Sequence, residues 1–481
     1  MIRCCVKIAV TALLLLLQLR LYAQQDNILF MQHINPQSNL VNPAVLSACP
    51  TYFSMPLLGS LHVNANSTGF SYADISGSGA VNLSALVRQL HWVDYVTTEL
   101  HYTIFSMGTY LPNSDYFNVA WTEKLDVKAF YPEKLVDFVA NGNTQYIGQP
   151  FNFKFPGVNA MYYRELSFGL AREVDKHFIV GAHAKLLFGQ MGVFTKRGKG
   201  TIVSNSTTYN FDAEWNFGVN ASVPLDVEYD ADGNVSSLGL GAVSFPSAAL
   251  TFSNPGLAVD LGFVYRVGDY TFSGSALDLG FIYWSKDTRK FQQNGKFEFE
   301  GANVTNGLDP EAYFNSMVDS IQNQLKVTET SGGFMSFTTP RVYLGALLPL
   351  NRYYAVGANI RSELYPGRPV VGLTLHGVVS NGKGLQGSLT YSIMNGSFMN
   401  VGAGVALGGN RFQFFAMSDN LLAFFAPQNA RNVNARFGFN FFLGCTEGNR
   451  RGGHSYYAGN CSWLDTPKQR QMRKMKKIRR R

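Results

Sequence analysis

Residues 257–266 read Leu-Ala-Val-Asp-Leu-Gly-Phe-Val-Tyr-Arg. Leu257, Val259, Leu261, Phe263 and Tyr265 fall on one side of an extended chain, and Ala258, Asp260, Gly262, Val264 and Arg266 on the other. This period of two is the mark of a strand with one apolar face. It recurs in 178–188, where Phe178, Val180, Ala182, Ala184, Leu186 and Phe188 oppose Gly181, His183 and Lys185. In 354–361 Tyr354, Val356, Ala358 and Ile360 oppose Asn359 and Arg361, and in 385–393 Leu385, Leu389, Tyr391 and Ile393 oppose Ser388, Thr390 and Ser392. In 431–441 Val433, Ala435, Phe437, Phe439 and Phe441 oppose Asn434, Arg436, Gly438 and Asn440.

The second face separates the two ways of using such strands. A soluble sandwich turns it to water and fills it with Lys, Glu and Thr, whereas here it holds Gly, Ser, Asn and Ala with an occasional charge. That pattern fits the lumen wall of a closed barrel whose large aromatic face meets lipid. Closure is what pairs every backbone group of a strand inside a bilayer. Composition agrees: 15% of the 481 residues are charged, against roughly 25% in an average soluble protein, with 14% aromatic residues. So much apolar material excludes disorder, and beyond residue 23 no run of about 18 apolar residues suggests a spanning helix. The expected fold is therefore all-β: an antiparallel transmembrane β-barrel of about 14–16 strands, with short periplasmic turns, long external loops and small helical insertions.

Parity orders the strands. Tight turns at Val174–Lys176, Val267–Asp269, Leu350–Asn351 and Gly408–Asn410 go to the periplasm, as in barrels of this class. Candidate strands then alternate near 61–70, 99–111, 115–128, 160–172, 177–188, 206–222, 238–252, 257–266, 270–284, 338–349, 352–363, 369–378, 384–394, 398–407, 411–418 and 431–443. That makes sixteen, with fourteen equally acceptable, and leaves the C-terminus in the periplasm. Asp309-Pro310-Glu311 reads as a helix start, followed by Phe314, Met317, Ile321 and Leu325 on one face. Leu135, Phe138 and Val139 mark a second short helix over Glu133–Ala140. Each is read either as a docking or lid element or as loop packing.

Outside the barrel, 51–443, the chain divides into four pieces. Residues 1–23 read as a signal peptide: Arg3 and Lys7, an apolar stretch from Ile8 to Leu17, and Ala23 before the cleavage point. Residues 24–50 carry the Asn35-Pro36 and Asn42-Pro43 steps, which oppose regular strand or helix; their apolar content favours an ordered lumen plug over a flexible periplasmic lead. Residues 444–467 are a short extension. Residues 468–481 hold Lys468, Arg470, Arg473, Lys474, Lys476, Lys477, Arg479, Arg480 and Arg481 and no acid. This tail and the leader account for the net charge of +8, so the folded body is mildly acidic. Nine like charges extend a tail, and its candidate partners are outer-membrane lipid headgroups, cell-wall polymer or an acidic periplasmic protein surface. Nucleic acid is not expected there.

Of the cysteines left after cleavage, Cys445 and Cys461 bracket a short polar loop and are either a disulfide or two free thiols, with Cys49 the odd one out. No His or second Cys stands at metal-ligand spacing around them, and no cofactor motif is found. No GxSxG, HExxH or P-loop occurs, and Gly402, Gly404 and Gly408 lack the helix that a dinucleotide fingerprint needs. An enzyme is not indicated. His183, Lys185, Asp260, Arg266, Asp278, Arg361 and Arg436 are candidate lumen polar residues, either paired with one another or the plug, or available to a charged solute.

Four stretches carry a resemblance. Gln32-His33-Ile34-Asn35-Pro36-Gln37-Ser38-Asn39 with Asn42-Pro43-Ala44, and Asn66-Ser67-Thr68-Gly69-Phe70-Ser71-Tyr72, are followed near the end by Ser418-Asp419-Asn420-Leu421-Leu422 and Asn432-Val433-Asn434-Ala435-Arg436-Phe437-Gly438. Together they resemble an uncharacterised outer-membrane barrel family of Bacteroidota. That family is distantly similar to the PorP/SprF accessory proteins of type IX secretion and more loosely to FadL-like transporters. The resemblance implies a bacterial outer-membrane barrel with a structural, assembly or secretion-accessory role, or else passive transport of hydrophobic or small polar solutes with residues 24–50 as the hatch. It brings no catalytic residues.

Overall fold

The computed structural model describes residues 26–444 except 55–58, 72–73, 75–86, 142–145, 155, 205–210, 230–234, 241–251, 300–327, 352, 366–367, 381–384, 395–396 and 409–410. Within these residues the sheet closes into a 14-stranded antiparallel barrel. Its strands are β1 (Thr51–Ser54 and Ser60–Ser67), β2 (Asp94–Tyr110), β3 (Tyr116–Tyr131), β4 (Gly157–Glu173), β5 (Phe178–Ser204), β6 (Phe211–Ser222 and Pro255–Val267) and β7 (Tyr270–Trp284 and Thr288–Phe299). They continue as β8 (Thr328–Ser331, Phe334–Phe337 and Arg341–Pro349), β9 (Tyr354–Tyr365), β10 (Arg368–Ser380), β11 (Gln386–Met394), β12 (Ser397–Gly408), β13 (Phe412–Ser418) and β14 (Asn432–Leu443). Closure comes from β1, which pairs with β2 (His62 opposite His101) and with β14 (His62 opposite Arg436).

The opening stretch behaves as its periodicity predicts. Leu257, Val259, Leu261 and Tyr265 are exposed on the outer wall, at 55, 43, 51 and 43%, while Ala258, Asp260 and Val264 are buried inside. Leu344, Leu375, Leu389 and Phe437 extend the apolar exterior onto other strands. On a closed sheet this outer face suits hydrocarbon.

The count of sixteen falls to fourteen for a definite reason. The segments near 206–222 and 257–266 are two parts of one strand: the upper half of β5 pairs with Phe211–Ser222 and the lower half with Pro255–Val267. Near 238–252, the described part Val235–Leu240 pairs with Leu225–Tyr229 in a separate hairpin. With β5, β6 and β7 already in register, the wall offers it no edge.

Short connections at 111–115, 174–177 and 268–269 share one end of the barrel with the start of β1 and the end of β14. Larger excursions leave the other end. One carries α2 (Glu133–Asn141), whose Leu135 and Phe138 pack on Phe151, Phe153, Ile202 and Ala213. The helix expected after Asp309 and the tail 468–481 lie outside the described residues.

On one point the cysteine reading is corrected. Cys49, expected to be odd, is disulfide-bonded, while Cys445 and Cys461 lie outside the described residues. Cys49 lies just before β1, at the end where β14 finishes, with Thr51 opposite Leu443 and Gly444 against Pro50. Non-reducing peptide mapping is expected to recover Cys49 in a cross-linked peptide, Cys445 being the first partner to test; a free thiol at Cys49 contradicts this.

A filled lumen as the candidate functional site

The barrel interior is filled by the chain's own beginning. Residues 27–31 form a short helix, α1 (Asn27–Met31), and Pro36–Leu40 a 3-10 turn. The Asn-Pro steps cause the turns rather than merely interrupting structure: the Asn35 side chain accepts from Gln37 N at 3.0 Å, and that of Asn42 from Ala44 N at 3.0 Å. Asn is suited to this because its short amide reaches the backbone two residues on.

Two kinds of contact seat the segment. Ile28, Leu29, Phe30, Met31, Ile34 and Val41 are buried in one cluster with Leu277, Tyr343, Leu347, Val378 and Phe415 of the wall, and Phe30 stacks on Tyr343 at 5.0 Å. Around it runs a polar seam. Ser275 Oγ donates to Val41 O at 2.6 Å, Gln37 Nε2 to Asn440 Oδ1 at 2.9 Å, and Asn359 Nδ2 to Asn27 Oδ1 at 2.8 Å. Close approach is allowed by Gly181 and Gly262 on the inner wall, where an added Cβ would meet Pro43 O at 2.3 Å and Asn42 Oδ1 at 2.2 Å. Gly262→Val is therefore expected to unseat the Asn42–Pro43 turn, raising protease cleavage within residues 36–46; unchanged protection contradicts the seating.

The start of the described segment is held ionically. Arg436 of β14 grips Asp26 with both arms, Nε to Oδ1 at 2.6 Å and Nη2 to Oδ2 at 2.8 Å. Burial alone would raise the Asp26 pKa, but the Arg436 guanidinium holds it below the ordinary carboxylate range. Asp419, after β13, accepts from Ile28 N at 3.1 Å and Asn27 N at 3.4 Å. Burial, with the nearby Asp26 charge adding to it, pushes its pKa up to about 6.

Below this latch lies a balanced ion cluster. Lys185 Nζ is 2.7 Å from Asp260, 2.7 Å from Asp278 and 3.4 Å from Glu165. Lys124 reaches Glu165 at 2.7 Å and Asp278 at 3.3 Å, and Arg341 also bonds Asp278. His183 links wall to segment, its Nδ1 3.0 Å from Asp260 and its Nε2 2.9 Å from Asn39 Oδ1. A cavity of about 30 Å³ remains among Asp26, His101, Lys124, His183, Lys185 and Arg436, room for a water or two.

Of the residues singled out from sequence, His183, Lys185, Asp260 and Asp278 meet in this cluster, and Arg436 holds the latch. Arg361 is buried elsewhere on the wall, bonding Glu363 at 3.1 Å and Tyr343 Oη at 2.9 Å. Arg266 is only half-buried, near the short-turn end. The nine tail cations lie outside the described residues. Lys124, Glu165, Arg341 and Asp26 were not picked out. Parity would have placed Lys124 and Glu165 inward, once their strands were aligned.

The profile of a family of unknown function, DUF5723, matches residues 43–419, and the chain belongs to that family. No curated protein matches it. Among solved structures it is similar to the toluene transporter TbuX of Ralstonia pickettii, at 10% identity over 85% of this chain and 94% of that one, with a TM-score of 0.38. A FadL homologue of Pseudomonas aeruginosa is similar at 9% identity over 85% and 93% of the two chains, TM-score 0.36. At these values the likeness carries nothing about substrate.

Proposed function

We propose that this family member is a non-enzymatic bacterial outer-membrane barrel, sealed at rest by residues 26–49, and that it passes small polar or hydrophobic solutes when that hatch swings aside. The observation that carries this is the ionic latch at the start of the described segment. A lumen meant only to be filled would be as stable or more so with apolar packing, since buried ion pairs seldom repay their desolvation. Ionisable groups at membrane depth mark pathways more often than supports. Asp26 sits at the releasable end, while the other end runs into β1 and the bridged Cys49, so the segment is hinged rather than loose. The test is sugar and amino-acid uptake by proteoliposomes: the intact mature chain is expected to be tight, and a chain lacking residues 24–40 permeable to solutes of a few hundred daltons. Equal tightness of a folded, heat-modifiable deletion contradicts transport.

A second reading, an assembly or secretion-accessory role in the envelope akin to that of the PorP/SprF proteins, rests on a different observation. β14 ends at the short-turn end, the side that short turns would assign to the periplasm, and the basic residues 468–481, outside the described residues, follow it in sequence. Nine cations there suit an anionic surface. Pull-down with and without 468–481 at low salt tests this docking; identical partners with and without the tail oppose it.

A further inference from the structure

The barrel seam holds a group of side chains that neither the latch nor the ion cluster uses. His62 of β1 faces His101 of β2 directly across the ladder, and Glu99 lies two residues before His101 on the same inner face. One donor atom from each of the three lies within 4.8 Å of the others, and all three side chains are buried. Strand geometry explains the grouping: directly opposed residues and their i−2 neighbours project together on one face of a sheet.

Their hydrogen bonding is lopsided. His101 Nε2 bonds Asp126 Oδ1 at 2.7 Å, and Tyr163 Oη donates to the same carboxylate at 3.4 Å. Both ring nitrogens of His62 and Oε2 of Glu99 have no hydrogen-bond partner among the described residues. Leaving such groups buried and unsatisfied is unfavourable. Asp26 does not satisfy His62, its Oδ1 standing 3.6 Å from Nδ1. Glu99 also has the like-charged Asp126 and Glu363 as electrostatic neighbours, with Lys128 as a nearby cation.

We propose that His62, Glu99 and His101 form a binding site for a transition-metal dication of the Zn²⁺ type. Two imidazoles and a carboxylate are a donor set that such ions take, with a water completing a four-coordinate shell. With His101 Nε2 held by Asp126, Nδ1 is the nitrogen turned to the metal, and Asp126 is the outer carboxylate that fixes tautomer and ring orientation in such sites. Tetrahedral coordination needs donor separations of roughly 3.3–3.5 Å, which modest side-chain rotations supply. The ion would join β1 to β2 at the barrel's closing seam, a few ångströms from the latch.

The experiment uses the full mature chain in detergent, carrying a tag without histidine, stripped with EDTA and dialysed against metal-free buffer. Titration with Co²⁺ is expected to give one saturable set of visible bands per chain, displaced by an equivalent of Zn²⁺. Competition against a chromophoric chelator is expected to show Zn²⁺ affinity falling at least 100-fold in His62→Gln/His101→Gln and in Glu99→Gln. Asp126→Asn, a positioning change, should weaken binding about 10- to 100-fold. Heat-modifiable gel mobility confirms that each variant is folded, and the wild-type Co²⁺ spectrum is independent of any variant. A wild-type chain with no saturable Co²⁺ spectrum, or variants that bind Zn²⁺ as tightly as it does, overturns the site.

Discussion

Arg436→Ala is expected to release the N-terminal segment from the lumen while leaving the barrel closed. The substitution strips Asp26 of both charged hydrogen bonds and leaves a buried carboxylate facing the carboxyl of Asp419. Breaking one side of a buried pair typically costs about 3–5 kcal/mol, because the remaining charge is uncompensated. At 1.36 kcal/mol per decade, that favours the unseated state by a factor of about 10² to 10⁴. Hydrogen exchange of the Ile28–Asn42 amides reads this directly: exchange should accelerate by that factor while the β5 and β6 amides keep their protection. Asp26→Ala alone should act in the same direction, and the double variant should be less harmed than the sum of the two. Additive effects, or loosening of the whole barrel, would mean that the pair is a general support and not a latch.

Asp278→Ala is expected to have the largest effect on the barrel itself. Lys124, Lys185 and Arg341 all contact this carboxylate, and Glu165 and Asp260 would be left to balance three cations. A loss of about 3–5 kcal/mol follows from the uncompensated charge. The backbone adds to it. Asp278 has φ of +57°, at a bulge where Leu277 and Asp278 together face Asp260. Alanine tolerates that region worse than glycine by about 1 kcal/mol. Asp278→Gly should therefore be the milder of the two, with the charge loss common to both. Urea unfolding in vesicles measures the difference; an alanine variant within about 1 kcal/mol of wild type would contradict the cluster.

The same bulge marks where the sequence could be read and where it could not. Strands 178–188, 257–266 and 431–441 keep strict alternation, so their inward and outward faces follow from a period of two. In β7 the parity reverses at the bulge: Thr271, Ser273, Ser275 and Leu277 are buried, then Asp278, Ile282 and Trp284. Alternation alone would have sent either the first half or the second half of that strand into lipid. A similar shift between Thr103 and Phe105 blurs β2. Lys124 and Glu165 lie on the inward side of alternating strands, opposite Val119, Trp121 and Leu125 and opposite Leu166 and Phe168, but nothing local shows which lumen charges they meet. Their meeting with Asp278, more than a hundred positions on, is a product of closure. The latch was out of reach for the same reason, since Asp26 and Arg436 stand at opposite ends of the barrel sequence. The filling of the lumen was more legible: Ile28 to Met31 and the two Asn-Pro turns form a compact apolar piece with nowhere else to bury.

Single cysteines at positions 257 to 265, labelled with bimane and reconstituted into vesicles containing brominated lipid, put the wall directly to its solvent. Positions 257, 259, 261, 263 and 265 are expected to be quenched, with 258, 260, 262 and 264 unquenched and also slow to label from water, because they are packed inside the barrel, 262 and 264 against the N-terminal segment. Quenching of both sets alike, or of the even set alone, would contradict a lipid-facing barrel closed around its own first residues.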